Sequence, residues 1–530
     1  MTGEQPVNTL KQLFEKSLRK YADRPALHFE GETVTYRELD RRSSAIANEF
    51  VERGVSVGEP IALLLPNSLT YVVLDLALFK AGAARFALND MLSADEVRYM
   101  LTDTGAKTVI VGEGFQDRFA AVEDDLESLE RLFAVTDSEE STPDRAVRYA
   151  DLLSAGDSTT TPDVDVDSED RALHAYTGGT TGKPKGLIHS NGGMTANMYT
   201  TMMELDVTGD DRQLLMTPVP HSAGGFLWAG LLTGAEAWLH DGFDAGETLR
   251  CIEADEITWT FMVPTMVYRL LDHDDLNVRD TKSLETMVYG AAPMTSARLR
   301  EGIEAFGDVF CQFYGQGECP NFITTLSKKE HRVAIETDNE QRLGSAGQPC
   351  LMTDIRIIDP ETGERRPEGE SGEITVTAPY IMKEYYQRPE ATAETLVDGW
   401  VRTGDIGRID EDGYLYLLDR KDDMIVSGGM NVYSTEVEEV LAKHEGVKEV
   451  AVIGIPDEDW GEAVTAIVVP YNDDDITKEA LAEFTDDRLT DYKKPKHVKF
   501  VDSLPRTPYD KVDKVALREP YWEDEDRNIS

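Results

Sequence analysis

YTGGTTGKPKG, residues 176–186, is the stretch on which the reading of this chain turns. Its glycines let backbone approach a ligand closely. Thr177, Thr180 and Thr181, the loop amides, and Lys183 and Lys185 offer donors to phosphate oxygens. A Walker loop needs four residues between its first glycine and Gly-Lys-Ser/Thr. Here two residues separate Gly179 from Gly182, and Pro184 follows Lys183. The segment predicts a phosphate-cradling loop of another kind; taken alone, its alternative is a Gly/Thr turn without a ligand.

Upstream of this loop, helix and strand signals alternate. Thr35 with Glu38 and Ser93 with Glu96 have capping-box spacing, in which hydroxyl and carboxylate each satisfy a free backbone N–H. Leu39, Ile46 and Phe50 recur at helical spacing until Gly54. Residues 61–65 form a short apolar run ended by Pro66, as a buried parallel strand would be. An apolar helix is expected around 69–81, stopping at Gly82, and a strand at 108–111 after Gly105. This is βα alternation, hence an α/β fold with parallel sheets. Residues 138–170, rich in Ser, Thr, Asp and Pro, read as a surface connection.

From about 343 to 418 short strands with Gly-rich turns predict a β-rich subdomain. After Arg420 a new unit begins, with capping-box spacing at Thr435 and Glu438 and strands near 447–455 and 463–469. The expected organisation is a large N-terminal domain, 1–420, and a small mobile α+β domain, 421–530.

Composition narrows the function classes. Against 100 Asp+Glu the 530 residues hold 53 Lys+Arg, a formal charge of −47. That excess argues against nucleic acid or an anionic membrane surface as partner. The acids are dispersed, so a solvated acidic surface in the salt-rich cytoplasm of a halophile is expected. Cys251, Cys311, Cys319 and Cys350 lack CxxC or zinc-ligand spacing and read as buried thiols. The polar N-terminus is no secretory signal, and no apolar run approaches the ~18–20 residues of a membrane span. The protein is expected to be soluble and cytoplasmic.

Further motifs follow the loop in a fixed order: GAAP at 290–293, YGQGE at 314–318, GWVRTGD at 399–405, DRKDDMIVSGGMN at 419–431 and PRTPYDK at 505–511. With the loop, these six segments resemble those of the adenylate-forming (AMP-binding) superfamily of acyl- and aryl-CoA synthetases, peptide-synthetase adenylation domains and beetle luciferases. The resemblance runs over nearly the whole chain. It implies a two-step reaction. A carboxylate attacks the α-phosphate of ATP–Mg²⁺ to give an acyl-adenylate and pyrophosphate, and the thiol of coenzyme A then displaces AMP.

The resemblance also implies roles. Thr177, Gly178, Gly179, Thr180, Thr181, Gly182, Lys183 and Lys185 would hold the β- and γ-phosphates, where charge builds. Glu318, with Thr180, would hold magnesium, a hard ion on hard oxygens. Tyr314 and Gly315 would pack on adenine in a slot shaped by Ala291, Ala292 and Gln312. Asp405 would accept the ribose hydroxyls, with Arg420 beside it. Asp422 matches the hinge, and Ser427, Gly428 and Gly429 the loop lining the pantetheine channel. Lys511 would bridge the carboxylate and the α-phosphate, neutralising two anions that repel. His221 sits where many acyl- and aryl-CoA ligases carry an aromatic or histidine beside the acid, and Phe226, Trp228, Met262, Val263 and Phe313 are candidate pocket walls.

Three positions depart from the family pattern. Gly178 replaces a common serine, Gly317 a threonine, and Asp510 a glycine. The leading expectation is a fatty or aryl acid–CoA ligase, with a homodimer as a further expectation. Two alternatives stand beside it: a stand-alone enzyme loading a free carrier protein, since about 19 residues after Lys511 are too few for a carrier domain, and a non-catalytic nucleotide-binding paralogue.

Overall fold

The helices begin where local chemistry starts them. Ser93 and Glu96 close a reciprocal capping box on Ala94–Thr104, and Ser68 caps Leu69–Ala81, which ends on left-handed Gly82. That second helix is buried almost all round, which is why its sequence is apolar without a stripe. Thr35 caps Tyr36–Glu52, but the Glu38 side chain turns to Arg42 (2.9 Å) instead of completing a box. The computed structural model describes residues 7–136, 145–177, 183–457, 460–471, 476–506 and 512–522.

Two compact units emerge. The first takes in the described residues of Met1–Gly178, Pro184–Ile355 and Val376–Val401. It holds two mixed sheets whose central strands are parallel, as the alternation predicts. One has eight strands, in the order Glu384–Tyr385, Lys185–Ser190, Arg171–Thr177, Ala84–Ala87, Pro60–Leu64, Thr108–Gly112, Arg131–Val135 and Val147–Arg148. The other has nine; its parallel core runs through Phe310–Gln316, Thr286–Gly290, Trp259–Met262, Arg212–Leu215, Glu236–Leu239 and Pro25–Phe29. One continuous core joins side chains from both sheets and from the helices Leu10–Lys20 and Leu69–Ala81.

The second unit contains Arg356–Thr375 and Arg402–Ser530. A β-rich sheet includes Gly372–Thr377, Trp400–Ile409 and Leu415–Arg420, as expected for this region. Beyond it, Val447–Asp457 and Gly461–Pro470 pair antiparallel over ten registered positions and carry the hairpin Ile425–Ser427 and Met430–Val432. The architecture is α/β with a β-rich part and a C-terminal α+β part.

Two further local expectations are corrected. The connection 138–170 includes a helix, Tyr149–Ala155, among its described residues. Thr435 and Glu438 form no capping box. Thr435 lies inside the helix Ser434–Leu441 and donates to Leu418 O, while Glu438 accepts from Val452 N–H at 2.7 Å. Tertiary partners outbid the local pair. All four cysteines are free and buried, and none of the described helices is long and apolar enough to cross a membrane.

Candidate active site

The quoted loop connects two antiparallel strands, Arg171–Thr177 and Lys185–Ser190. Gly178, Gly179, Thr180, Thr181 and Gly182 lie outside the described residues, as do Asp510 and Lys511. The flanks are well defined. Tyr176 donates to Asp103 Oδ2 at 2.9 Å, and Arg388 binds Asp103 Oδ1 at 2.5 Å. Beside them His174 is fully buried, and burial, helped by Arg171, holds its imidazole down at about 3, so it stays neutral.

A second hairpin meets the first. Phe310–Gln316 and Cys319–Leu326 pair through Gln316 and Cys319, which puts Gly317 and Glu318 at the two-residue turn. His189 Nε2 bonds Gly317 O at 2.9 Å, tying this turn to the strand that follows the loop. The departure at Gly317 has a steric reason. A Cβ there would lie 2.9 Å from Leu187 Cδ2 and closer still to Thr177 Cγ2. Thr177 and Leu187, on the strands that flank the 178–182 segment, therefore occupy the space that a larger residue needs.

The short strand Glu384–Tyr385 joins the two hairpins. It pairs with Leu187 and Ile188, and Tyr386 N–H donates to Gly186 O at 2.6 Å. Met382 N–H donates to Glu318 O at 2.8 Å. Tyr385 O–H donates to Glu318 Oε1 at 2.6 Å, and Lys185 Nζ stands 5.0 Å over the Tyr385 ring. Burial and the Glu318 charge push the Tyr385 phenol far up, so it remains a donor at neutral pH. Sequence reasoning missed Tyr385, because a tyrosine in KEYYQRPE carries no chemical signal of its own.

Tyr314 and Gly315 end the strand Phe310–Gln316, half-buried. Gln312, two residues earlier, holds a buried Oε1 without a hydrogen-bond partner. Such an atom costs ~1–3 kcal/mol if left alone, and it suits a ligand that donates. Ala291 and Ala292 are exposed beyond the strand Thr286–Gly290, and Ala291 has φ +65°. A left-handed alanine stores ~1–3 kcal/mol of strain, a feature that concentrates at ligand sites.

His221 lies in a π-turn, Val219–Ala223, where it alone departs from helical geometry (φ −105°, ψ −151°). Trp228 is not a free pocket wall. Its indole N–H bonds Asp75 at 3.2 Å and its ring packs edge-on against Phe79 at 5.0 Å, in the core. Phe226, Met262 and Phe313 are buried as well, and Val263 only partly so.

In the second unit Asp405 and Arg420 face each other across an antiparallel pair, 2.9 Å between Oδ1 and Nε. Gly428 and Gly429 form the two-residue turn of the hairpin, with φ +62° and +76°, as such turns require. Ser427 is fully buried, so of residues 427–429 it is the glycines that present surface. A side chain at 428 would strike Trp460 (2.6 Å), whereas 429 faces open space. Asp422 O accepts from Arg518 at 3.2 Å, and Asp423 pairs with the same guanidinium. Among the described residues no group of three or more His, Cys, Asp or Glu forms a metal cage.

Family models match this arrangement along the chain. The AMP-binding enzyme model matches residues 14–386, and the AMP-binding enzyme C-terminal domain residues 436–511. This chain belongs to the AMP-binding enzyme family. A medium/long-chain-fatty-acid–CoA ligase of Mycobacterium tuberculosis is 36% identical over 526 residues, 97% of this chain and 90% of that protein. A feruloyl-CoA synthase of an Amycolatopsis species is 37% identical over 495 residues, 93% of this chain and 95% of that protein. Among solved structures, ATP-bound MatB of Rhodopseudomonas palustris superposes with a TM-score of 0.86 at 31% identity, covering 96% of this chain and 99% of that one.

Proposed function

We propose that this AMP-binding enzyme is a carboxylic acid–CoA ligase, converting ATP to AMP and pyrophosphate through an acyl-adenylate and then forming a thioester. One observation carries the reading: the loop hairpin, the Glu318 turn and Tyr385 are tied at one place by direct bonds. Relatives named as fatty-acid–CoA ligase and feruloyl-CoA synthase support a fatty or aryl acid as substrate.

The donor chemistry fits the ligands. Lys185, exposed beside the loop, would meet phosphate oxygens, and the unsatisfied Gln312 Oε1 would accept from the adenine amino group. One carboxylate without a cage suits Mg²⁺, which takes one or two carboxylates and completes its shell with phosphates and water. Glu318, steadied by Tyr385, would hold it, with Thr180 as the further oxygen; the ion supplies charge neutralisation on the phosphates. Asp405 with Arg420 would take the ribose, and Lys511 the forming bond.

The remaining roles belong to the same proposal. Asp422 would be the hinge between 1–420 and 421–530, and the 428–429 turn would admit pantetheine. The acidic surface would serve a salt-rich cytoplasm, and the chain would act there as a homodimer.

A panel of fatty and aryl acids tests the reading, first by ATP–pyrophosphate exchange and then by AMP release with CoA. Acid-dependent ADP, or nucleotide binding without pyrophosphate release, would overturn it; release only with a carrier protein would replace CoA as acceptor. Lys511→Ala should lower adenylation by ~10²–10³-fold and spare thioester formation from supplied acyl-adenylate. Gly429→Leu should do the reverse, because its side chain enters the open space at the turn.

A further inference from the structure

The carboxyl ends of two neighbouring parallel strands, Pro60–Leu64 and Ala84–Ala87, are followed by Asn67 and Asn89. In α/β sheets this is the edge at which ligands bind. Both asparagines reach the segment 217–221, which follows the strand Arg212–Leu215 of the other sheet. Asn67 donates to Thr217 O and His240 O at 3.0 Å each, and accepts from Val219 N–H at 2.8 Å.

Arg85, on the second strand, donates to Val219 O at 2.9 Å and Pro220 O at 3.4 Å. Its counter-ion is Asp75 at 2.8 Å, and both side chains are nearly inaccessible, 6% and 1% exposed. Burial opposes both charges, but the guanidinium cannot lose its proton, and Asp75 holds Arg85 charged. A buried pair of this kind is seldom a net source of stability compared with apolar residues of equal volume. Here it holds two consecutive carbonyls immediately before His221, at a turn that departs from helical geometry.

Asn89 is 2% exposed and touches His221 directly, with 2.7 Å between Nδ2 and Nε2. Which end of the amide faces the ring is settled by the backbone. Met91 N–H, which can only donate, lies 2.8 Å from Asn89 Oδ1. The oxygen is therefore turned to Met91 and the NH₂ to His221. An amide NH₂ can only donate, so Nε2 must accept. In a neutral imidazole the proton then resides on Nδ1.

We infer that Asn89 is a positioning residue that fixes His221 as its Nδ1–H tautomer, so that the histidine offers an N–H donor to the substrate's carboxylate. The inference rests on the ligase reading and on His221 standing beside the acid. It also deepens that reading. A donor at that point favours an anionic oxygen and disfavours a substrate ammonium, which would need an acceptor there.

Asn89→Asp separates this role from a structural one. A carboxylate of the same shape keeps the bond to Met91 N–H, so the turn is retained, but it accepts from Nε2 where the amide donated. At a pH where the ring is neutral its single proton must then sit on Nε2, which leaves Nδ1 bare. Full-length protein labelled with ¹⁵N-histidine reads the tautomer from two-bond nitrogen–proton couplings, with His221→Gln supplying the assignment. The wild type is expected to show Nδ1–H and Asn89→Asp to lose it. In ATP–pyrophosphate exchange the KM for the acid should rise about 10- to 100-fold, the effect of a misdirected hydrogen bond at a developing site, with the KM for ATP within about twofold.

An Nε2–H signal for His221 in the wild type would overturn the inference, as would a switched tautomer with an unchanged KM for the acid. Absence of exchange with every acid would refute the ligase reading instead, and the wild-type spectrum would still decide the tautomer.

Discussion

Replacing Gly317 by alanine should impair the enzyme, although the family pattern has a larger residue at this place. The added Cβ would sit 2.9 Å from Leu187 Cδ2 and nearer to Thr177 Cγ2. Carbon atoms rest ~3.5–4.0 Å apart, so one or both neighbours must shift by about an ångström. Overpacking of this kind costs ~1–3 kcal/mol. Leu187 belongs to the buried cluster with Met382 and Tyr385 and has little room, so Thr177 takes the displacement.

Thr177 directly precedes the segment 178–182, so its displacement is expected to be felt in adenylation. If the whole cost appears in adenylation, the rate falls roughly 5- to 150-fold. ATP–pyrophosphate exchange at saturating acid measures it. Thr177→Ser removes the methyl that Gly317 accommodates and keeps the hydroxyl, so alone it should change the rate little. The double variant should recover most of the loss, giving a coupling energy of ~1 kcal/mol or more. A harmless Gly317→Ala, or a double variant no better than the single, would refute the steric account.

Tyr385→Phe removes the 2.6 Å bond to Glu318. A hydrogen bond to a charged group is worth ~1.5–3 kcal/mol, so adenylation should fall ~10- to 100-fold, and Mn²⁺ titration should show weaker metal binding. Asp419 is buried, which pushes its carboxyl up to about 6, with Lys514 opposing and Asp423 assisting. A carboxyl raised in the folded state favours folding below its unfolded value of ~3.9, and that benefit disappears as the pH rises through about 6. Asp419→Asn should therefore flatten the fall in stability between pH 4.5 and 7 by ~2 kcal/mol, as followed by urea denaturation; parallel curves would contradict it. Burial pushes the Cys251 and Cys311 thiols up to about 12, so thiol reagents at pH 8 should label neither until denaturant is added.

Much of the molecule was legible in its residues. Short-range physics determined the helix Leu69–Ala81 and its glycine stop, the strand read at 61–65 and found at Pro60–Leu64, and the β-rich stretch, because capping, apolar runs and left-handed glycines act over a few positions. The ordered motifs named the family, since Glu318, Tyr314 and Asp405 are recognised by the sequence around them. The tertiary structure decided what depends on residues far apart in the chain. Thr435 and Glu438 have capping spacing, yet Leu418 and Val452 claim their side chains from 17 and 14 residues away. Tyr385 serves Glu318 across 67 residues, Asn89 holds His221 across 132, and Arg85 supports Val219 across 134. No spacing rule encodes such pairs, because the hydrogen bond that defines each role exists only once the two sheets and their connecting loops have packed.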